Sequence, residues 1–281
     1  MSTPRPRAVL IADGSRSHLT AELERLAPVV AEHLEVVGRV LDLTDGTIPE
    51  SAEMVVVFGG DGTMLRTAHL MGKRQLPVLG VNLGKLGFLA HVRPEHLAEA
   101  LPAVAHHEAN VVEHLMFDCS LVRNGATVQT LLGLNEVSVL AGSPFSMIQV
   151  QLYVDAELAT TYSCDGLIVS TPVGSTAHSL SAGGPILRKD LDAFVISPIS
   201  PHTLTNRPVV DSADRVYELA VPAPNEATSL VLDGRVITTL HPEDRVRIAR
   251  SGATFKQLDI PGKGYYRTLR EKLGWGGQLR E

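Results

Sequence analysis

The run Val55-Val56-Val57-Phe58 breaks off into Gly59-Gly60-Asp61-Gly62-Thr63, and this junction constrains the fold more than any other stretch. Consecutive apolar residues without polar alternation suit an inner strand of a parallel sheet, covered on both faces. The glycines then permit a tight turn and close approach of the backbone to a ligand. Met64 to Met71 follows as a predicted helix, so amides gather at its start, a geometry that suits phosphate. A carboxylate there repels phosphate. Asp61 makes chemical sense if it accepts a proton or helps to hold a metal ion beside the phosphates. Two other phosphate motifs fail by counting. A dinucleotide fingerprint from Gly60 requires glycine or alanine where Leu65 stands, and a Walker A loop ending at Gly84-Lys85 requires different residues at Leu79 and Leu86. Taken alone, the loop also reads as a plain tight turn.

The 281 residues are 44% hydrophobic and 20% charged, the balance of a globular chain with a real core in one large or two moderate domains. A formal net charge of −6 argues against a nucleic-acid surface. Cys119 and Cys164 are too few for a disulfide scaffold or a cysteine zinc site. No stretch reaches the ~18 unbroken apolar residues of a membrane span, and the apolar run Ala8 to Ala12 is too short for a signal peptide. The expectation is a cytoplasmic protein.

The first hundred residues alternate strand and helix, as a parallel sheet requires. Strands are expected at Arg7 to Ala12, Glu35 to Leu43, Met54 to Phe58 and Pro77 to Asn82. Helices are expected over His18 to Leu34, kinked or shortened at Pro28, and over Pro94 to His106. After about Val112 the texture becomes short strands punctuated by glycine and proline, including an Asn124-Gly125 hairpin. The expected division is an α/β domain with a parallel, Rossmann/flavodoxin-like sheet over 1–111 and an all-β sandwich-like domain over 112–252. The tail 253–281 is expected to pack back on the first, its part from Gly262 to Glu281 either docking there or being partly disordered.

A second dense signal runs from Asp165 to Pro185, where a strand opens into hydroxylated and glycine-rich chain. Such a segment suits recognition of ribose, amide or phosphate groups, and equally a turn before a small-residue helix. Asn135-Glu136 stands at the entrance of another strand; singly, such a pair reads as a solvated turn. Histidines such as His106-His107 show no metal-ligand spacing.

Together, Gly59 to Thr63, Asn82 to Leu89, Asn135-Glu136, Asp165 to Pro185 and Ser197 to Pro208 resemble, in order, the NAD kinase family. The resemblance implies an α/β domain, a β-sandwich domain, and NAD bound between them. It implies transfer of the γ-phosphoryl group of ATP, or of polyphosphate, to the 2′-hydroxyl of the adenosine ribose, with Mg²⁺ bridging the phosphates. It also implies a homodimer or homotetramer.

Carried onto this chain, the resemblance makes Asp61 the acceptor of the hydroxyl proton. Gly59, Gly60, Gly62 and Thr63 would present amides and a hydroxyl to phosphates, and Lys85 is a further phosphate contact by charge, or else a surface lysine. For the dinucleotide, Asp61 and Gly62 are joined by Phe88 at the adenine, Asn135 and Glu136 at the ribose, and Asp165 near the adenine amino group. Thr176, Ala177, His178 and Ser181 line the same site. No residue is assigned as a metal ligand. Val173 and His178 stand where the family has threonine and tyrosine, and Glu113-His114-Leu115-Met116 lacks a frequent arginine. Two alternatives stay open, a lipid kinase of the diacylglycerol or sphingosine type and a non-catalytic NAD(P)-binding sensor. A hydrolase built on Ser175 and His178 lacks a nucleophile-elbow pattern.

Overall fold

The computed structural model describes residues 4–84, 87–144, 146–203, 206–260 and 265–274. The chain divides into two compact units, one formed by the stretch up to Glu113 together with the stretch from Phe255 on, the other by His114–Thr254.

In the first unit four parallel strands lie in the order Glu35–Val40, Arg7–Ala12, Met54–Gly59, Val78–Asn82. Gln257, near the end of the long strand Asp244–Asp259, continues the sheet in parallel beside Val78. Every residue of Met54–Gly59 is buried, as an inner strand covered on both faces demands. One face packs Leu10, Val56, Phe58 and Leu79 against Leu19, Leu23, Leu26 and Val30 of the helix Ser17–His33 and Leu97 and Leu101 of the helix Leu97–Ala105. Pro28 does not shorten Ser17–His33. Its ring is exposed, on the side where water can serve the carbonyl that a proline leaves without a donor.

The second unit is an all-β sandwich. One antiparallel sheet runs Val209–Ser212, Ala193–Ile199, Gly166–Ser170, Glu136–Leu140, Ser229–Leu232, Arg235–Thr239. The other strands include Tyr217–Ala220, Ile148–Val154, Glu157–Cys164 and the hairpin Asn110–Arg123 with Ala126–Gly133. The hairpin turns through Asn124 and Gly125, both at positive φ (51° and 79°), which matches the strand twist. Inward residues of alternating strands make the core, where Phe194 meets Phe117 and Tyr217 edge-on at 6.3 and 5.6 Å. The α/β and β-sandwich classes expected from the sequence are both present.

Candidate active site

The helix that follows Met54–Gly59 spans Asp61–Met71, three residues earlier than its apolar pattern predicts. Gly60 serves as N-cap, and its carbonyl accepts the amides of Thr63 (3.0 Å) and Met64 (3.1 Å). The amides of Asp61 and Gly62 therefore remain as helix-start donors unused inside the helix. A Cβ on Gly60 or on Gly62 would meet nothing within 4 Å, so this end of the helix is open to a ligand. Gly59 and Thr63 take a different place from the one expected. Gly59 is buried inside the strand, and the Thr63 side chain fills the space a Cβ on Gly59 would need, 2.3 Å from Thr63 Oγ1. Their glycine–threonine pairing serves packing at the turn.

Asp61 turns its carboxylate away from its own helix and toward the next loop. Phe88 N donates to Oδ2 at 2.7 Å, and Leu89 N and Ala90 N donate to Oδ1 at 2.9 and 3.1 Å. Lys272 Nζ, from the helix Tyr265–Leu273, lies 3.3 Å from Oδ2 and 4.1 Å from the centre of the Phe88 ring. Four donors thus converge on two oxygens, about the capacity of a carboxylate. Gly87 makes this possible, because a Cβ there would fall 2.1 Å from Asp61 Oδ1. The loop is braced by Asn82, which donates to Ala90 O and accepts from Gly84 N, and by Gln257, whose amide donates to Leu89 O. Lys85 lies outside the described residues.

In the second unit Asn135 and Glu136 form a corner rather than a solvated turn. Glu136 is 5% exposed. Asn135 O accepts Thr171 N at 2.9 Å, and Leu134 O accepts the Thr171 hydroxyl at 2.6 Å. A Cβ on Gly174 would lie 2.1 Å from Asn135 O, so the glycine lets the two segments meet. Asp233, not singled out by sequence reasoning, receives the amides of Leu134, Asn135 and Glu136 at 2.8, 2.7 and 2.9 Å. Burial, then the Asp233 charge, push the Glu136 carboxyl up to about 8, against a lowering hydrogen bond from the His178 amide.

Thr176 and Ala177 are half-buried beside this corner, and His178 and Ser181 are exposed. Val173 is a core residue, so its missing hydroxyl falls in the interior. Ser175 is fully buried, donating to Pro172 O and accepting from Leu187 N, which removes the Ser175–His178 hydrolase reading. Asp165 and Glu136 sit at opposite ends of the pairing between Gly166–Ser170 and Glu136–Leu140. That separates them by about 15 Å along the strand. His202 Nε2 lies 3.8 Å from Asp165.

Two family models match the chain, the ATP-NAD kinase N-terminal domain over residues 8–109 and the ATP-NAD kinase C-terminal domain over residues 134–259. The chain belongs to the ATP-NAD kinase family. A relative from Rhodopirellula baltica named NAD kinase is 49% identical over 274 residues, covering 98% of this chain and 88% of the relative. One from Geotalea daltonii with the same name is 41% identical over 272 residues, covering 96% and 95%. Among solved structures, an NAD kinase from Archaeoglobus fulgidus in complex with ATP superposes with a TM-score of 0.71 at 29% identity, over 95% of this chain and 97% of the other. A yeast NADH kinase complexed with NADH gives 0.83 at 20% identity, over 99% and 90%; at that identity the likeness is one of fold.

Proposed function

We propose that this chain phosphorylates NAD, with Asp61 as the proton acceptor that makes the 2′-hydroxyl of the adenosine ribose a nucleophile toward the γ-phosphorus of ATP or the terminal phosphorus of polyphosphate. The ribose oxygen forms a bond to phosphorus, the bond from phosphorus to the donor's bridging oxygen breaks, and the hydroxyl proton passes to Asp61. The observation that carries this reading is the grip of three successive backbone amides on the Asp61 carboxylate at an open helix start. The amides fix the plane of the carboxylate and cannot leave. Of the four described donors, Lys272 is the one on a flexible stem, so an alcohol reaching Oδ2 takes the ammonium's place. A carboxylate is a weak base toward an alcohol, which suffices in a loose phosphoryl-transfer transition state where the proton becomes acidic late.

Gly60 and Gly62 leave room for phosphate oxygens at the helix start. Among the described residues no group of three or more His, Cys, Asp or Glu side chains stands together as metal ligands. The divalent cation enters as part of the Mg·ATP substrate, where it neutralises charge on the phosphates. Asn135 and Glu136 hold a ribose, Phe88 borders the adenine, and Thr176, Ala177, His178 and Ser181 line the dinucleotide. Asp165 belongs near the adenine amino group, and Lys85 is a phosphate contact by charge. A homodimer or homotetramer in the cytoplasm completes the reading; among the described residues no helix is long and apolar enough to cross a membrane.

The decisive experiment is Asp61→Asn assayed for NADP formation from NAD and Mg·ATP. The rate should fall about 10²- to 10⁴-fold, the usual contribution of a positioned base. Undiminished turnover overturns the assignment. Wild-type protein that binds NAD but makes no NADP at high enzyme concentration would favour the sensor, and phosphorylation of a diacylglycerol or sphingosine instead of NAD would favour the lipid kinase.

A further inference from the structure

We propose that Asp233 is a positioning residue for the dinucleotide, building from its own turn the corner that aims Asn135 and Glu136 at the ribose. The inference rests on the reading of those two residues given above. Asp233 and Gly234 connect Ser229–Leu232 to Arg235–Thr239, both at positive φ (48° and 76°). The Asp233 carboxylate is buried and takes three successive amides, while its own N–H donates to Glu136 O at 2.9 Å. Four hydrogen bonds therefore lock the Asn135–Glu136 backbone to one turn. An Asp-Gly hairpin needs no such contacts to close, since the turn geometry alone suffices. Their direction, all toward the Asn-Glu corner, assigns the carboxylate a task outside its own hairpin.

After burial, the same carboxylate is the next influence on the charge of the corner. Glu136 Oε2 is buried with no hydrogen-bond partner among the described residues, a costly state for an ionised oxygen. As a neutral acid, Glu136 offers a donor O–H to a sugar oxygen. The groups facing it are Asp233 from the turn, the His178 amide from the helix His178–Ser181, and the Ser170 hydroxyl opposite in register. The Cys119 thiol is pushed up to about 12 by burial and by Asp233, so it stays neutral. Arg235, on the same turn, is exposed. Asp233 is thus the anion that favours the protonated acid. Above about pH 8 Glu136 ionises, and the donor is lost.

The test is the pH dependence of KM for NAD in wild type, Asp233→Asn and Glu136→Gln, from about pH 6 to about pH 9. Wild-type KM should climb as pH passes about 8. Without the Asp233 charge, Glu136 ionises more readily, so in Asp233→Asn the climb should begin at lower pH. At neutral pH its KM should rise about tenfold, roughly 1.4 kcal/mol, and by more than kcat falls. Glu136→Gln, neutral throughout, should give a KM that is flat over this range. It keeps the question open to refutation if Asp233→Asn does not fold. A wild-type climb retained in Glu136→Gln, or an unshifted profile in a folded Asp233→Asn, overturns the proposal. Absence of NADP formation by wild type would instead overturn the function on which it rests.

Discussion

Asp61 shows how much of a carboxylate's environment is made by its neighbours' lack of side chains. Its carboxylate can reach the Phe88, Leu89 and Ala90 amides because Gly87 leaves the space beside Oδ1 empty. We expect Gly87→Ala to displace the carboxylate and lower kcat for NADP formation about 10²-fold or more. A thermal melt near that of wild type would show that the loss is local. The Gly-Asp loop was legible in the sequence as a short motif of unusual composition, whereas the Asn-Glu pair, singly a solvated turn, was legible only through the family resemblance. Lys272 was not. It stands 211 positions from Asp61 along the chain, and nothing local distinguishes it from any surface lysine of a helix. Asp233 was hidden differently: an Asp-Gly dipeptide between two strands already has a sufficient explanation as a hairpin turn.

At the scale of elements, apolar periodicity gave most strands and the three helices of the first hundred or so residues, missed Glu157–Cys164, Val209–Ser212 and the helix Tyr265–Leu273, and misjudged where one helix begins. Glycine is a poor helix former, so Asp61-Gly62-Thr63 reads as loop; the Gly60 carbonyl nonetheless closes the first turn on Thr63 and Met64. The sandwich carries a clasp of its own. Arg123, at the end of Asn110–Arg123, meets the buried Asp244 at the start of Asp244–Asp259 through two bonds of 2.7 and 2.8 Å. Burial raises the Asp244 carboxyl, but Arg123 and the His241 amide outweigh it and hold it below its ordinary value. This pairing therefore stabilises the fold above the unfolded carboxyl's range and fades as pH falls through the lowered one. Arg123→Ala leaves a buried charge unpaired and should cost about 3 kcal/mol in urea unfolding at neutral pH. The deficit relative to wild type should shrink in acid.

At the scale of the whole molecule, the first unit is assembled from two separated parts of the chain. Phe255, Leu258 and Leu269 are buried, and Gln257 extends the sheet beside Val78 while its amide holds Leu89. No run of apolar residues announces this return, because one paired residue and a few anchors leave little periodic trace. A fragment of residues 1–113 lacks those anchors and exposes the Val78–Asn82 edge. We expect it to show no cooperative thermal transition by circular dichroism, in contrast to the full chain. A sharp transition at the full chain's Tm would contradict this account.

That arrangement bears on the order in which a ribosome delivers the polypeptide. The loop gripping Asp61 emerges early, yet Gln257, which braces it, and Lys272, which pairs with it, are translated only after every residue of the sandwich. A nascent chain therefore carries an incompletely braced Asp61 loop until the codons for Gln257 and Lys272 have been read. A premature stop upstream of Phe255 would yield a product with Asp61 intact and its scaffold missing.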